Sequence, residues 1–179
     1  MTGHEKKTLA SRRLEPNGVG HYIEAFGMYY DDFVVGDKYS HRPGRTVTEA
    51  DCYWLTMLHG NPHPLHFDQN YAEDTEFSRV VVSSLFTFPL IHAMTVASTS
   101  ANAVANLGWK EIKLHAPVFV GDTLYAETII LSKRDSKSRA GFGIVSVATT
   151  GLKATGDIVM TFERSFLIRN KQVVSDNEK

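Results

Sequence analysis

Between residues 111 and 169 the chain alternates β-branched or apolar side chains with small polar ones, and the alternation is broken at regular points. Residues 111–116, 123–132, 143–152 and 157–168 form four such runs, and a period of two with β-branched enrichment predicts strands. Val145, Val147 and Thr149 interleave with Ser146, Ala148 and Thr150. Gly121-Asp122, residues 134–138 and Thr155-Gly156-Asp157 supply the turns. Upstream, residues 39–47 also have strand character. Thr48-Glu49-Ala50-Asp51 then reads as a capping box, with Asp51 where Glu or Gln is usual. Cys52, Leu55 and Leu58 or His59 follow at helical spacing, and Gly60 is a stop signal. A helix over residues 49–59 is predicted.

The stretch from residue 85 to residue 107 is apolar or small and uncharged. Thr95, Val96, Ala97, Ser98, Ala101, Val104 and Ala105 predict a helix buried on most sides, ending at Gly108. Pro89 interrupts it, because proline lacks the N–H and clashes with the preceding turn. The expectation is a kink, or a regular part beginning later than Ser84. One buried helix followed by antiparallel strands predicts an α+β domain with its sheet wrapped around the helix. A single such unit leaves a sheet edge uncovered, so pairing of two units edge to edge, as a homodimer or a higher homo-oligomer, is expected.

With 179 residues, 42% hydrophobic and 22% charged, the chain has the make-up of one globular domain. Residues 1–20 read as a flexible, charged arm, residues 21–171 as the domain, and residues 172–179 as a frayed end. A net charge of −1 gives no reason to expect nucleic acid or an anionic membrane as partner. One cysteine, Cys52, excludes an intrachain disulfide. The apolar stretch at 85–97 carries Pro89 and His92 and is too short to span a bilayer. The N-terminal residues lack an apolar signal core, so the cytoplasm is the expected compartment.

The chemistry concentrates in Leu58-His59-Gly60-Asn61-Pro62-His63-Pro64-Leu65-His66-Phe67-Asp68. Prolines fix φ and restrict the residue before them, so such a loop holds an imidazole in place. His66 beside an amide or carboxyl group suits activation of water. The same histidines also fit plain loop or core roles. Zinc is not expected, since His59, His63 and His66 have no obvious fourth ligand. No P-loop or dinucleotide-binding glycine motif occurs, and no cofactor is expected.

Gly60 to His66, followed by Asp68 and Tyr71-Ala72, resembles the hydratase motif G-D-x-N-P-[L/I]-H of the MaoC-like family, which includes (R)-specific enoyl-CoA hydratases. Residues 79–85 (RVVVSSL) stand where that family enters its central helix, and residues 116–124 (APVFVGDTL) resemble its P-V-x-x-G-D-T-L turn. The similarity covers roughly residues 30–169. Residues 102–108 (NAVANLG) and PVFVGDTL further resemble the branch acting on mesaconyl-CoA and itaconyl-CoA. The resemblance implies a hotdog fold and a coenzyme A thioester as substrate.

It also implies roles for particular residues. The family's catalytic histidine falls on His66 and its aspartate on Asn61. The family's asparagine falls on His63, its proline on Pro64, and the glycine at the mouth of the central helix on Ser84. An amide cannot take a proton from water, so Asn61 is expected to orient the water and His66 to do the proton work. Backbone N–H groups of Ser84 and Leu85 are the expected hole for the enolate oxygen. Ser83, Phe86, His63 and Arg79 are candidate substrate contacts, with Arg45 a second candidate for a distal carboxylate. Asp68 reads better as the N-cap of a short helix than as an acid or base. Lys110, Lys113, Lys133 and Arg134 are candidates for the coenzyme A phosphates. The expected function is addition or removal of water across the 2,3 double bond of a short enoyl-CoA, including branched dicarboxylic ones. Two alternatives stand beside it: a hotdog thioesterase, against which the lack of Asp or Glu at 84–108 argues, and a non-catalytic acyl-binding subunit of a heteromeric hydratase, which Asn61 favours.

Overall fold

The computed structural model describes residues 12–171. Strands β1 (Arg12–Pro16) and β2 (Tyr22–Phe26) pair antiparallel as a separate hairpin. Part of the stretch expected to be a loose arm is therefore ordered backbone, turned at Gly18 and Gly20, both at positive φ. The remainder of the arm, residues 1–11, and the C-terminal residues 172–179 lie outside the described residues.

The main sheet has five antiparallel strands in the order β3-β5-β6-β7-β4. They are β3 (Lys38–Thr46), β4 (Ala103–Leu114), β5 (Thr123–Asp135), β6 (Phe142–Lys153) and β7 (Ile158–Arg169). Along β6 and β7 every second side chain is buried, the pattern of a sheet with one face on a core. That face wraps α3 (Ser84–Thr99). Phe86, Leu90 and Ile91 of the helix pack on Leu124, Val159 and Phe162. A second cluster, with Phe33, Ile130, Val145 and Phe166, closes the far end. Gly151 permits the closest approach: a Cβ there would come within 2.1 Å of Ile91 Cδ1. This is the expected α+β hotdog arrangement.

Two expectations about the central helix need correction. It starts at Ser84 and runs on through Pro89, so its regular part does not begin later. The hydrogen bond that Pro89 cannot make frees the carbonyl of Leu85, a residue 55% exposed, where water can replace the lost donor. And the helix ends at Thr99, not at Leu107. Residues 103–107 already belong to β4, paired with β7 from Ala103↔Ile168 onward. One apolar stretch thus supplies the last helical turns and the first strand residues. Gly108, at φ +145°, marks a register break within β4 instead of a helix stop.

Beneath α3 the core is polar in one place. Arg164 on β7 is 3% exposed. Its guanidinium donates to His92 Nε2 and, at 2.9 Å, to Thr99 Oγ1, while its Nε is buried without a partner. Burial lowers the Arg164 pKa to about 10. Burial, and then the Arg164 cation, lower that of His92 to about 4. His41 lies between Ser98 Oγ and Thr128 Oγ1, at 2.9 and 2.8 Å. Burial, followed by the Arg42 and Arg164 cations, lowers its pKa to about 4 as well.

Both histidines are therefore neutral in the folded chain at pH 7. Between the ordinary value of 6.5 and about 4 the unfolded chain binds more protons than the folded one, so stability is lost as pH falls through that window and is level above it. Thermal melting should show a midpoint that drops steadily from about pH 6.5 to about pH 4 and barely changes from about pH 7 to about pH 8. A midpoint independent of pH over the acidic window would contradict the buried neutral histidines.

Candidate active site

Helix α1 (Glu49–Leu58) begins with the expected reciprocal cap. The Asp51 N–H donates to Thr48 Oγ1, and the Thr48 N–H donates to Asp51 Oδ2; such a cap is worth about 1 kcal/mol. The helix stops in a Schellman turn: Gly60 at φ +63° lets its N–H reach the Met57 carbonyl and the Asn61 N–H reach Thr56. Pro64–His66 is a single 3-10 turn in which His63 Nδ1 accepts from the Leu65 N–H. Asp68 then caps α2 (Gln69–Glu73) by accepting from the Tyr71 N–H at 3.1 Å. Each of these turns follows from the residue at its cap.

The turn is stitched to the strand-like segment that leads into α3. The Val81 N–H donates to the Leu65 carbonyl at 3.1 Å, and the Val82 N–H donates to Val118 at 2.8 Å. His66 Nδ1 lies 2.7 Å from the Val81 carbonyl. A carbonyl only accepts, so Nδ1 carries the hydrogen and Nε2 keeps its lone pair. Cys52, buried, donates its thiol to the His66 carbonyl at 3.5 Å. Burial raises the Cys52 pKa, against a backbone hydrogen bond from Ser83 that lowers it. The one cysteine thus links α1, the His66 turn and the start of α3.

His66 faces a cavity of about 320 Å³ whose wall includes Ser84, Thr87, His115, Phe77, Val118 and Val159. Ser84 is the first residue of α3. Its N–H has no hydrogen-bond partner among the described residues and sits at the positive end of a sixteen-residue helix. The expected second donor is engaged otherwise: the Leu85 N–H donates to Ser83 Oγ at 3.3 Å. Ser83 is buried and N-caps the helix.

The other candidates lie elsewhere. Asn61 does not line this cavity. It lines a separate hollow with Tyr53, Met57 and Phe67, and its Oδ1 accepts from the His63 N–H at 3.1 Å, so its observed part is to fold the loop. His63 does not line the cavity either; its ring is 5.8 Å from that of His66 and edge-on to Tyr71. Phe86, expected as a substrate contact, is 3% exposed and belongs to the core. Arg79 stacks on the Phe119 ring at 3.7 Å in another hollow, and Arg45 pairs with Asp51. Lys110 and Lys113 pair with Glu163 and Glu111. Lys133 is spent on the carbonyls of Tyr30 and Phe33. Conversely, the sequence reading missed His115 and Thr87. His115 directly precedes the APVFVGDTL turn, and that adjacency was the available signal.

The family described as "MaoC like domain" matches residues 32–151. The chain belongs to the MaoC-like family. It is 31% identical over 149 residues to a mesaconyl-CoA hydratase of Cereibacter sphaeroides, covering 83% of this chain and 43% of that protein. A crystal structure described as a putative MaoC domain protein dehydratase from Chloroflexus aurantiacus superposes with a TM-score of 0.77 at 30% identity, over 81% of this chain and 41% of that one. A Mycobacterium tuberculosis protein with a double hotdog fold superposes with a TM-score of 0.74 at 21% identity, over 81% of this chain and 45% of that one. The chain spans about two fifths of the length of this mesaconyl-CoA hydratase and of a beta-methylmalyl-CoA dehydratase that it also matches.

The ring geometry makes a direct prediction. Nitrogen-15 NMR of the neutral protein should show His66 as the Nδ1–H tautomer, with Nε2 unprotonated. The opposite tautomer would mean that the bond to Val81 does not form.

Proposed function

We propose that this MaoC-like chain is an acyl-CoA hydratase or dehydratase acting across the 2,3 double bond of a short enoyl-CoA. The observation that carries the reading is the shared cavity of His66, with a free Nε2, and the unpartnered Ser84 N–H. In the hydration direction, water attacks C3 and gives a proton to His66 Nε2. The π electrons move through C2 onto the thioester oxygen, where the Ser84 N–H and the α3 dipole stabilise the charge. The imidazolium then returns its proton to C2, so the atoms of one water are added and the base is restored. No carboxylate among the described residues lines the cavity, and this scheme needs neither a second base nor a cofactor. A water-orienting role for Asn61 is not part of it.

Relatives named mesaconyl-CoA hydratase and beta-methylmalyl-CoA dehydratase favour a branched dicarboxylic acyl group. The cavity volume suits a short chain, at the low end of small-molecule sites. The thioesterase reading lacks a carboxylate both on the cavity wall and on α3. A non-catalytic acyl-binding subunit remains the second reading. Asn61 in place of the family aspartate favours it, and it predicts acyl-CoA binding without turnover.

The working unit in this proposal is a homodimer joined at β4, in the cytoplasm where acyl-CoA esters are handled. β4 is an outer strand with Leu107, Ile112 and Leu114 exposed, a combination that calls for a partner. Sedimentation velocity should give about twice the 20.0 kDa chain mass; a stable monomer at micromolar concentration would count against it.

Hydration assays with crotonyl-, mesaconyl-, itaconyl- and a long-chain enoyl-CoA test the activity. His66→Ala should lower kcat/KM by about 10²–10⁴-fold, the usual contribution of a positioned acid–base group, whereas Asn61→Ala should keep substantial activity. The reverse ranking would remove His66 as the base. Thioester cleavage without hydration would replace the hydratase by the thioesterase.

A further inference from the structure

The hydration chemistry leaves one imidazole of the cavity wall unused. His115 stands one residue beyond the end of β4, and two bonds hold it there. Its backbone N–H donates to the Val159 carbonyl at 2.9 Å, and its Nε2 lies 2.8 Å from Thr161 Oγ1. The other ring nitrogen, Nδ1, has no partner among the described residues. Among the described residues no Asp, Glu, Arg or Lys lines the cavity, so His66 and His115 are the described side chains of its wall able to carry charge. Much of the remaining wall is apolar, with Phe77, Val81, Leu114, Val118 and Val159.

We propose that His115 receives the distal carboxylate of a dicarboxylic enoyl-CoA and is the specificity-determining residue of the site. The inference rests on the hydratase reading above and names its substrate class. A carboxylate entering this cavity gives up water against apolar side chains and needs a charge-assisted donor in return. An imidazole provides one by taking up a proton as the anion docks. In that state Nε2–H donates to Thr161 Oγ1, which is already in place, and Nδ1–H donates to the carboxylate. The arginines suggested by sequence do not compete for this role. Arg79 lies on Phe119 and Arg45 on Asp51, and neither lines the cavity. The hydroxyls of Ser84 and Thr87 are neutral and would not reward a second negative charge on the acyl group over a methyl.

The test compares wild type, His115→Gln and His115→Lys. Calorimetry measures binding of two saturated, non-reacting esters, methylsuccinyl-CoA and butyryl-CoA, and hydration is assayed on mesaconyl-CoA and crotonyl-CoA. Wild type should bind methylsuccinyl-CoA about tenfold or more tighter than butyryl-CoA, the gain of one charged hydrogen bond. His115→Gln should remove the preference and lower the mesaconyl-to-crotonyl ratio of kcat/KM about tenfold, through KM. His115→Lys, which keeps a cationic donor at the position, should restore the preference.

Wild type binding both saturated esters alike overturns the proposal, and this comparison needs no variant. So does a preference that survives His115→Gln. Wild type that prefers methylsuccinyl-CoA yet hydrates nothing supports the carboxylate contact and refutes the hydratase. Wild type that hydrates crotonyl-CoA with no preference for the dicarboxylic ester does the opposite.

Discussion

The hydrogen bond from His66 to the Val81 carbonyl ties the chemistry to the scaffold. On one side of it is a loop built by local rules. On the other is the segment that leads into the central helix. Without that bond the imidazole would choose its tautomer and its direction freely, and a proton acceptor facing the Ser84 N–H would be one arrangement among several. With it, His66 keeps its Nε2 lone pair and shares one cavity wall with Ser84, whose N–H has no partner among the described residues. The neighbouring backbone bond from Val81 to Leu65, and the thiol of Cys52 under the His66 carbonyl, brace the same point. A base on a loop, as proposed for His66, gains from such bracing, because loops are otherwise the mobile part of a fold.

Much of this loop was legible in the sequence because each turn depends on residues a few positions apart. Thr48 with Asp51, Gly60 after the helix, and Asp68 before Tyr71 all act locally. The strands of the sheet were equally visible as alternation. What escaped depends on contacts across the fold. The boundary between α3 and β4 lies inside one apolar stretch, where helix and strand patterns look alike, and pairing with β7 decides it. Phe86 belongs to the core and Arg79 to a ring stack because of what the sheet and the 116–121 turn bring to them. Asn61 was placed at the water by its position in a motif. In the structure its side chain is occupied by the His63 N–H, two residues along.

The interior under α3 shows a different economy. A guanidinium buried on β7 with a neutral imidazole and a hydroxyl as its partners, and no carboxylate among the described residues bonded to it, costs more than an apolar side chain of the same size would. What it contributes is position. Its two branches hold His92 and Thr99, two turns apart on the helix, so α3 can neither slide nor rotate on the sheet without stranding the charge. The helix whose N-terminus faces the cavity is thereby fixed in register from beneath.

The outer strand β4 carries three breaks in its pairing with β7, between Ala103 and Ala105, Asn106 and Gly108, and Lys110 and Lys113. Each break coils the strand and takes its free amides and carbonyls out of a straight line. A flat, regular border can recruit copy after copy, in the manner of a fibril. A coiled and interrupted one accepts a neighbour of matching curvature and then has nothing further to offer. The irregularities therefore act as a limit on growth: they withhold from this exposed margin the template for an endless assembly.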